Sequence, residues 1–271
     1  MGSKGASKHR KRFTAPMTYP IPRKHYKFTI KGTPSGHLTE RSIPLSIVLR
    51  NILDLAETTR EADRIVRSGA IAVDTVIRRD PRFAIGPMDI LSIPEIGNHY
   101  RATPFEGKRR LFLVEIPDTA SNWKLCKVIG KNTIHQGRLQ INLHDGRSIQ
   151  STEEDDKSLR EIAVGDTLKI SLPEQEIQEH IPLQTGAWGV IEDGSNIGKN
   201  GKLTELEKRI GKNRSIAVLE CDDETVVRTS LEYVFVIGKE KPIIEVPTAK
   251  QEATLPDTPE ETEENTGEIN E

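Results

Sequence analysis

The chain has 271 residues, of which 35% are hydrophobic, 30% charged and only 4% aromatic, a polar composition that supports several small cores more readily than one large one. No apolar run approaches the roughly 20 residues that cross a bilayer, and no apolar stretch follows the basic N-terminus as a secretory signal requires; Cys126 and Cys221, the only cysteines, are too few for a disulfide framework or a thiolate metal site, so an intracellular, reducing compartment is expected. The formal net charge of −2 hides a segregation: residues 1–42 carry ten Lys/Arg against the single acid Glu40, a net +9, whereas residues 245–271 carry nine acids against Lys250, a net −8, which points to a polyanion partner and a disordered acidic tail.

Residues 1–42 interleave Lys and Arg with Gly, Ser and Pro (Pro16, Pro20, Pro22, Pro34) and single aromatics at Phe13, Tyr19, Tyr26 and Phe28. No helical or strand period persists there, and like charges at this density repel. The segment therefore reads as a basic arm that is mostly unfolded alone and orders against phosphates, the alternative being a merely solubilising tail. Its candidate phosphate contacts are Lys4, Lys8, His9, Arg10, Lys11, Arg12, Arg23, Lys24, His25, Lys27, Lys31 and Arg41.

From Pro44 to Ala56 the period is helical: Leu45, Val48, Leu49, Ile52, Leu53, Leu55 and Ala56 share one stripe, with Arg50, Asp54 and Glu57 opposite. Pro44 is tolerated in a first turn, where its missing N–H costs nothing. Thr58-Thr59-Arg60-Glu61 reads as a capping box that opens a second helix ending at Gly69. That helix turns Ala62, Ile65 and Val66 inward and sets Arg60, Arg64 and Arg67 on the opposite face, where three guanidiniums can fork onto phosphate oxygens. Strand-like segments follow at 70–73, 76–77 and 89–93, with Arg78, Arg79 and Arg82 on the connection; these three and Arg50 join the candidate contacts.

Beyond Leu111 nearly everything reads as strand. Residues 138–144 alternate, with Leu139, Ile141 and Leu143 on one side, and Asp145-Gly146 is a strong hairpin signal. Further strands are expected at 167–172, 188–191, 215–219, 225–228 and 233–237, a spacing that suggests small barrels. Val164-Gly165-Asp166-Thr167-Leu168 echoes Gly86-Pro87-Met88-Asp89-Ile90-Leu91. Past Ile244 the chain is Pro, Thr and Glu with little apolar content and reads as a solvated, disordered tail or as a shield for the basic arm.

Nothing in the sequence supplies a reaction centre. A P-loop needs Gly, four residues, Gly-Lys and then Ser or Thr; here Gly194 precedes Gly198 by one residue too few, and Asn200 stands where the hydroxyl belongs. The seven histidines are scattered without an i, i+4 pair, so no metal or cofactor is expected. The acidic clusters Asp155-Asp156 and Asp222-Asp223-Glu224 fall in expected loops, and paired carboxylates do acid–base work only in a pocket that separates their pKa values.

Residues 43–105 resemble the S-four-like RNA-binding domain, through Thr59-Arg60-Glu61-Ala62, Ile65-Val66-Arg67-Ser68-Gly69, Ile71-Ala72-Val73-Asp74, Pro81, Gly86 and Met88-Asp89-Ile90-Leu91. That family usually has glycine after the position of Asp74, where this chain has Thr75. The segment Trp188 to Leu206 looks like a KOW motif around Gly194-Ser195-Asn196-Ile197-Gly198-Lys199-Asn200-Gly201-Lys202. The resemblance implies a glycine-rich loop that approaches RNA, with Asn196, Lys199, Asn200 and Lys202 in contact; the alternative is an ordinary glycine-rich turn.

The string His9-Arg10-Lys11-Arg12-Phe13-Thr14-Ala15-Pro16-Met17-Thr18-Tyr19 is similar to the N-terminal motif of the archaeal and eukaryotic small-subunit ribosomal protein four family, the S-four-e type. In order, the expected units are a basic arm (1–42), an S-four-like domain (43–105), a central β domain (106–172), an SH3-like KOW domain (173–244) and an acidic tail (245–271). The fold class is α+β, multi-module and mostly β. The resemblance implies a non-enzymatic constituent of the small ribosomal subunit, cytoplasmic, in contact with small-subunit rRNA and neighbouring ribosomal proteins, with no membrane or small-molecule substrate. Competing readings are a KOW-containing transcription or translation factor and an RNA-modifying enzyme, such as a pseudouridine synthase, that carries an S-four-like appendage.

Overall fold

The computed structural model describes residues 9–107, 110–151, 156–207, 209, 214–221 and 225–247; Lys4, Lys8, Asp155, Asp222-Asp223-Glu224 and the tail from 248 onward lie outside them. The described part of the basic segment is folded, which corrects the expectation of an unfolded arm. Strand β1 (His9–Lys11) pairs antiparallel with β2 (Phe28–Ile30). Arginine holds the proline-rich loop between them, because proline carbonyls lack the N–H partners of regular structure while a guanidinium offers five donors. Arg12 donates to the carbonyls of Pro22 (2.7 Å) and Phe28 (3.3 Å). Arg23 donates to those of Phe13, Ala15 and Pro16 at 3.0–3.2 Å. Ala15, Tyr19 and Ile21 enter the first hydrophobic core, where their burial outweighs the like-charge repulsion.

Strand β3 (Ile43–Pro44) leads into helix α1 (Leu45–Asn51), with Pro44 extended at the N-cap. The helix is shorter than its hydrophobic stripe suggested. Ile52 and Leu53 both donate to the Val48 carbonyl, Asp54 is left-handed at φ 49°, and Leu55, placed on the stripe by period, is 39% exposed. The break turns the chain so that α2 (Thr59–Ser68) can pack on α1. At its start the Glu61 N–H donates to the Thr58 hydroxyl (3.3 Å) and the Thr58 N–H to the Glu61 carboxylate (3.2 Å), the expected capping box; Gly69 ends it at φ 92°.

The first sheet contains β4 (Ala72–Val73), β5 (Val76–Ile77), β7 (Ile90–Ile93), β8 (Asn98–Pro104) and β9 (Leu111–Ile116), in the order β5-β4-β7-β8-β9, while β6 (Ala84–Ile85) pairs with β3. Asp74 and Thr75 form the β4–β5 turn with φ of 49° and 66°, the two left-handed residues of a twist-matched hairpin. Thr75 thus adopts a conformation that glycine takes more easily. The β8–β9 hairpin carries this sheet across the expected boundary at 105/106 to Ile116.

The second sheet, in the order β12-β11-β10-β13-β14, comprises β10 (Trp123–Thr133), β11 (Leu139–Leu143), β12 (Ser148–Gln150), β13 (Thr167–Ser171) and β14 (Ile177–Ile181). Gly146 turns the β11–β12 hairpin at φ 83°, and α3 (Asp156–Glu161) precedes β13. Because β14 pairs with β13, this sheet crosses the expected boundary at 172/173. The third sheet runs β18-β17-β16-β15-β19, from β15 (Trp188–Ile191), β16 (Asn200–Glu207), β17 (Ile216–Cys221), β18 (Val226–Ser230) and β19 (Val234–Gly238); its last strand returns beside its first. Its core takes in Met88, from the turn before β7, and Leu125 of β10.

The short sequence echo is a structural one. The N–H groups of Gly86 and Ala163 each donate to an aspartate three residues on, Asp89 and Asp166, both at 2.8 Å. Each aspartate also meets a histidine, His37 at 2.9 Å and His180 at 2.7 Å, at the threshold of a strand.

Candidate nucleic-acid interface

Helix α2 buries Ala62 and Val66 and leaves Arg60, Arg64 and Arg67 exposed. Among the described residues none of these three has an ion-pair partner. The nearby Glu61 is occupied by the cap. Arg79 lies over Gly69, at the C-terminal end of α2, where the helix dipole favours a cation. The other arginines of this region have internal partners. Arg50 donates to Thr59 (2.6 Å) and Asn51 (3.0 Å), Arg78 stacks on Phe83 at 4.3 Å, and Arg82 sits 3.6 Å from Asp80. The result is a guanidinium stripe ready for phosphate oxygens, which accept from an arginine fork.

On the N-terminal ribbon His9, Lys11, Lys24, His25 and Lys27 are exposed, and Arg10 and Lys31 are half-buried. Arg12 and Arg23 direct their donors into the loop they hold together. Arg41 turns away from the ribbon: it bonds Asp193 at 2.7 and 3.2 Å and lies 3.6 Å from Glu192, tying the N-terminal segment to the glycine-rich loop. Sequence alone counted these three among the RNA contacts; their positive charge remains, but their hydrogen bonds are internal.

The glycine-rich loop also differs from its expectation. A Cβ at Gly198, whose φ is 86°, would overlap the backbone of Phe105 and Glu106, so the close approach that glycine permits is made to the β8–β9 turn of this chain rather than left open for a ligand. Asn200 accepts from the Trp188 indole at 3.4 Å, and Lys199 sits 3.9 Å from Glu106. The Asn196 carbonyl accepts the Lys199 N–H, and Lys202 is exposed. Gly198→Ala is expected to destabilise the protein by about 2 kcal/mol or more, from strain plus overlap. A urea midpoint equal to that of the unsubstituted protein would refute the packing argument.

Behind these surfaces lies a charge cluster that no sequence window indicated. The ammonium of Lys124, fully buried on β10, meets Asp89 at 2.5 Å, Asp74 at 2.8 Å and Asp145 at 3.0 Å. Arg147 adds contacts to Asp74 (2.7 Å) and Asp145 (3.3 Å), and His37 reaches Asp89. Burial opposes the charge on Lys124, but Asp89, Asp74 and Asp145 hold its pKa well above the ordinary lysine value. Burial likewise opposes the Asp145 carboxylate, yet Lys124, His144 and Arg147 bring its pKa down to about 2. Burial and Lys124 push His144 down to about 3, so the ring is neutral. It accepts the Lys127 N–H at Nδ1 (3.2 Å) and donates from Nε2 to the Pro87 carbonyl (3.2 Å).

Cys126, His144 and Asp145 bring ligand atoms within 4.8 Å of one another, which raises the question of a metal. The donor set does not suit one. Both imidazole nitrogens are engaged, the carboxylate already carries two cations, and burial raises the Cys126 pKa well above its usual value and keeps the thiol protonated. Perturbed groups of this kind also occur at reaction centres, but here they are locked by one another. The nearby cleft of about 570 Å³ is lined by Leu38, Ile129, Val164, Lys127 and Glu192, and its Lys127 ammonium is bonded to the Glu232 carbonyl at 2.7 Å.

Two family models match this chain: Ribosomal family S4e over residues 96–177 and the RS4NT (NUC023) domain over residues 4–39. The chain is 40% identical over 250 residues to the small ribosomal subunit protein eS4 of Methanothermobacter thermautotrophicus, covering 92% of this chain and all of that one. It is 38% identical over 253 residues to the protein of that name from Desulfurococcus amylolyticus, covering 91% and 98%. Among solved structures it resembles the 30S ribosomal protein S4e of Thermoplasma acidophilum, with a TM-score of 0.61, 32% identity, and coverage of 73% of this chain and 96% of that one.

Proposed function

Since this chain belongs to ribosomal family S4e, and so is a structural constituent of the small ribosomal subunit, we propose that it grips small-subunit rRNA through two exposed cationic faces. One is the Arg60, Arg64, Arg67 and Arg79 stripe; the other is the N-terminal ribbon with His9, Lys11, Lys24, His25 and Lys27. Arg10 and Lys31 add charge on the ribbon and Lys202 on the third sheet, and Lys4 and Lys8 precede the ribbon in sequence. The observation that carries the proposal is the α2 stripe: three guanidiniums on one helical face, exposed and without acidic partners among the described residues.

We assign residues 43–105 to an S-four-like module, supported by two packed helices followed by a tight hairpin. Residues 173–244 are assigned to an SH3-like KOW domain, supported by a five-stranded antiparallel sheet whose last strand pairs with its first. Residues 106–172 lie between them as a central β unit, and 245–271 form an acidic tail. The compartment proposed is the cytoplasm, the partners rRNA and adjacent ribosomal proteins, and no catalytic role is assigned. No helix among the described residues is long and apolar enough to cross a membrane.

Counterion release makes this mode of binding salt-dependent. With six to ten phosphates engaged, affinity of the full chain for small-subunit rRNA should fall roughly 10³–10⁵-fold between about 50 and about 200 mM salt. A filter-binding titration reads this directly. Binding that ignores salt, or no binding at low ionic strength, would overturn the proposal.

A further inference from the structure

The chain has twelve aromatic residues of the Phe, Tyr and Trp types. The most exposed are Phe13 (72%), Tyr26 (63%) and Phe28 (45%), all on the N-terminal ribbon, whereas Tyr19 of the same segment is in the core. Their setting is ordered and cationic. Antiparallel register places Lys11 opposite Phe28 and His9 opposite Ile30, so His9, Lys11 and Phe28 share one face of the ribbon, while Thr29 is turned inward. The His9 ring meets Phe28 edge-on at 4.7 Å, and the Lys27 ammonium stands 5.5 Å from the same ring. Tyr26 is backed by the Arg12 guanidinium at 5.0 Å, itself pinned by the carbonyls of Pro22 and Phe28, and is flanked edge-on by His25 at 4.4 Å. Phe13 directly follows Arg12, and its carbonyl is held by Arg23.

We infer that this ribbon binds unpaired RNA nucleotides, stacking their bases on Phe13, Tyr26 and Phe28 while Lys11, Lys24 and Lys27 take the phosphates. The inference rests on the rRNA-binding reading and adds to it the kind of RNA engaged. Paired bases in an A-form helix cannot offer their faces to a side chain, whereas looped-out bases can, and aromatic platforms inside a cationic groove are the usual means of holding single strands. A protein neighbour fits less well, because an apolar partner face would have to desolvate the lysines between the rings. Stacking releases no counterions, so it has a signature distinct from that of the arginine stripe.

The test compares the full-length chain with its Phe13→Ala, Tyr26→Ala, Phe28→Ala triple variant, which alters no charge and no buried residue. The probes are small-subunit rRNA, a single-stranded oligoadenylate and a blunt RNA duplex of equal length. The triple variant is expected to lose about tenfold or more in affinity for the oligoadenylate and the rRNA. Its duplex binding, its slope of log affinity against log salt and its thermal midpoint should not change. A Tyr26→Phe, Phe28→Tyr variant should bind as the original does. No loss, or an equal loss on the duplex, would overturn the inference while leaving the rRNA-binding reading in place. So would normal rRNA binding combined with failure to join the small subunit, which would assign the aromatics to a protein neighbour. Failure of the unsubstituted chain to bind rRNA at all would overturn both readings.

Discussion

Lys124→Ala is expected to cost about 3–5 kcal/mol of unfolding free energy, a large part of the roughly 5–15 kcal/mol that holds a typical domain folded. The reason is what the substitution leaves behind. Asp74, Asp89 and Asp145 converge on one ammonium; with it removed, three buried carboxylates face one another with only Arg147 and His37 alongside. Their choice is to take up protons or admit water, and either disrupts the junction. Lys124→Met, which keeps much of the volume, should be nearly as damaging, because the charges rather than the space dominate. Adding Asp74→Asn, Asp89→Asn and Asp145→Asn to Lys124→Met should recover part of the loss. Urea unfolding of these variants decides the matter: a single Lys124→Ala variant within about 1 kcal/mol of the unsubstituted protein would contradict the account.

The second large effect is on binding rather than stability. Arg60→Glu, Arg64→Glu and Arg67→Glu together should leave the fold intact, since all three side chains are exposed and α2 keeps its capping box and its buried Ala62 and Val66. Each arginine lost removes a charge-assisted contact of about 1.5 kcal/mol or more, and each glutamate adds repulsion. Affinity for small-subunit rRNA should therefore drop on the order of a thousandfold. The salt dependence should flatten as well, by a slope of about 3 when the same residues are made alanine. Filter binding alongside circular dichroism separates the outcomes. A folded triple variant with undiminished affinity would remove the stripe from the interface.

Much of this architecture could be read locally. The Thr58/Glu61 cap, the Gly69 terminator and the Asp145-Gly146 hairpin are written in adjacent residues, and each forms as expected. The α2 stripe was equally legible, because 3.6-residue periodicity alone places Arg60, Arg64 and Arg67 on one face. The failures share a different cause. Helix α1 stops at Asn51 although its apolar period continues, because the chain must turn to bring α2 alongside. Arg12, Arg23 and Arg41 looked like solvent-facing arm residues until their partners, 7 to 152 positions away, came into view. Gly198 resembled a ligand-facing glycine, yet the backbone it admits belongs to residues 105 and 106. Lys124 and its aspartates, 21 to 50 residues apart, each sit in an unremarkable turn or strand; only tertiary proximity makes them a unit.

The arrangement of that unit bears on how the molecule comes apart. Its members are contributed by the N-terminal segment (His37), by two turns of the first sheet (Asp74, Asp89) and by the second sheet (Lys124, Asp145, Arg147). Any one of these layers that melted alone would strand uncompensated charge in the others, so partial unfolding carries nearly the full electrostatic penalty with little of the entropic return. The tie thus couples neighbours that, judged by their separate hydrophobic cores, could have loosened one at a time. If the two cationic faces grip one RNA as proposed, such all-or-none behaviour keeps the distance between them constant.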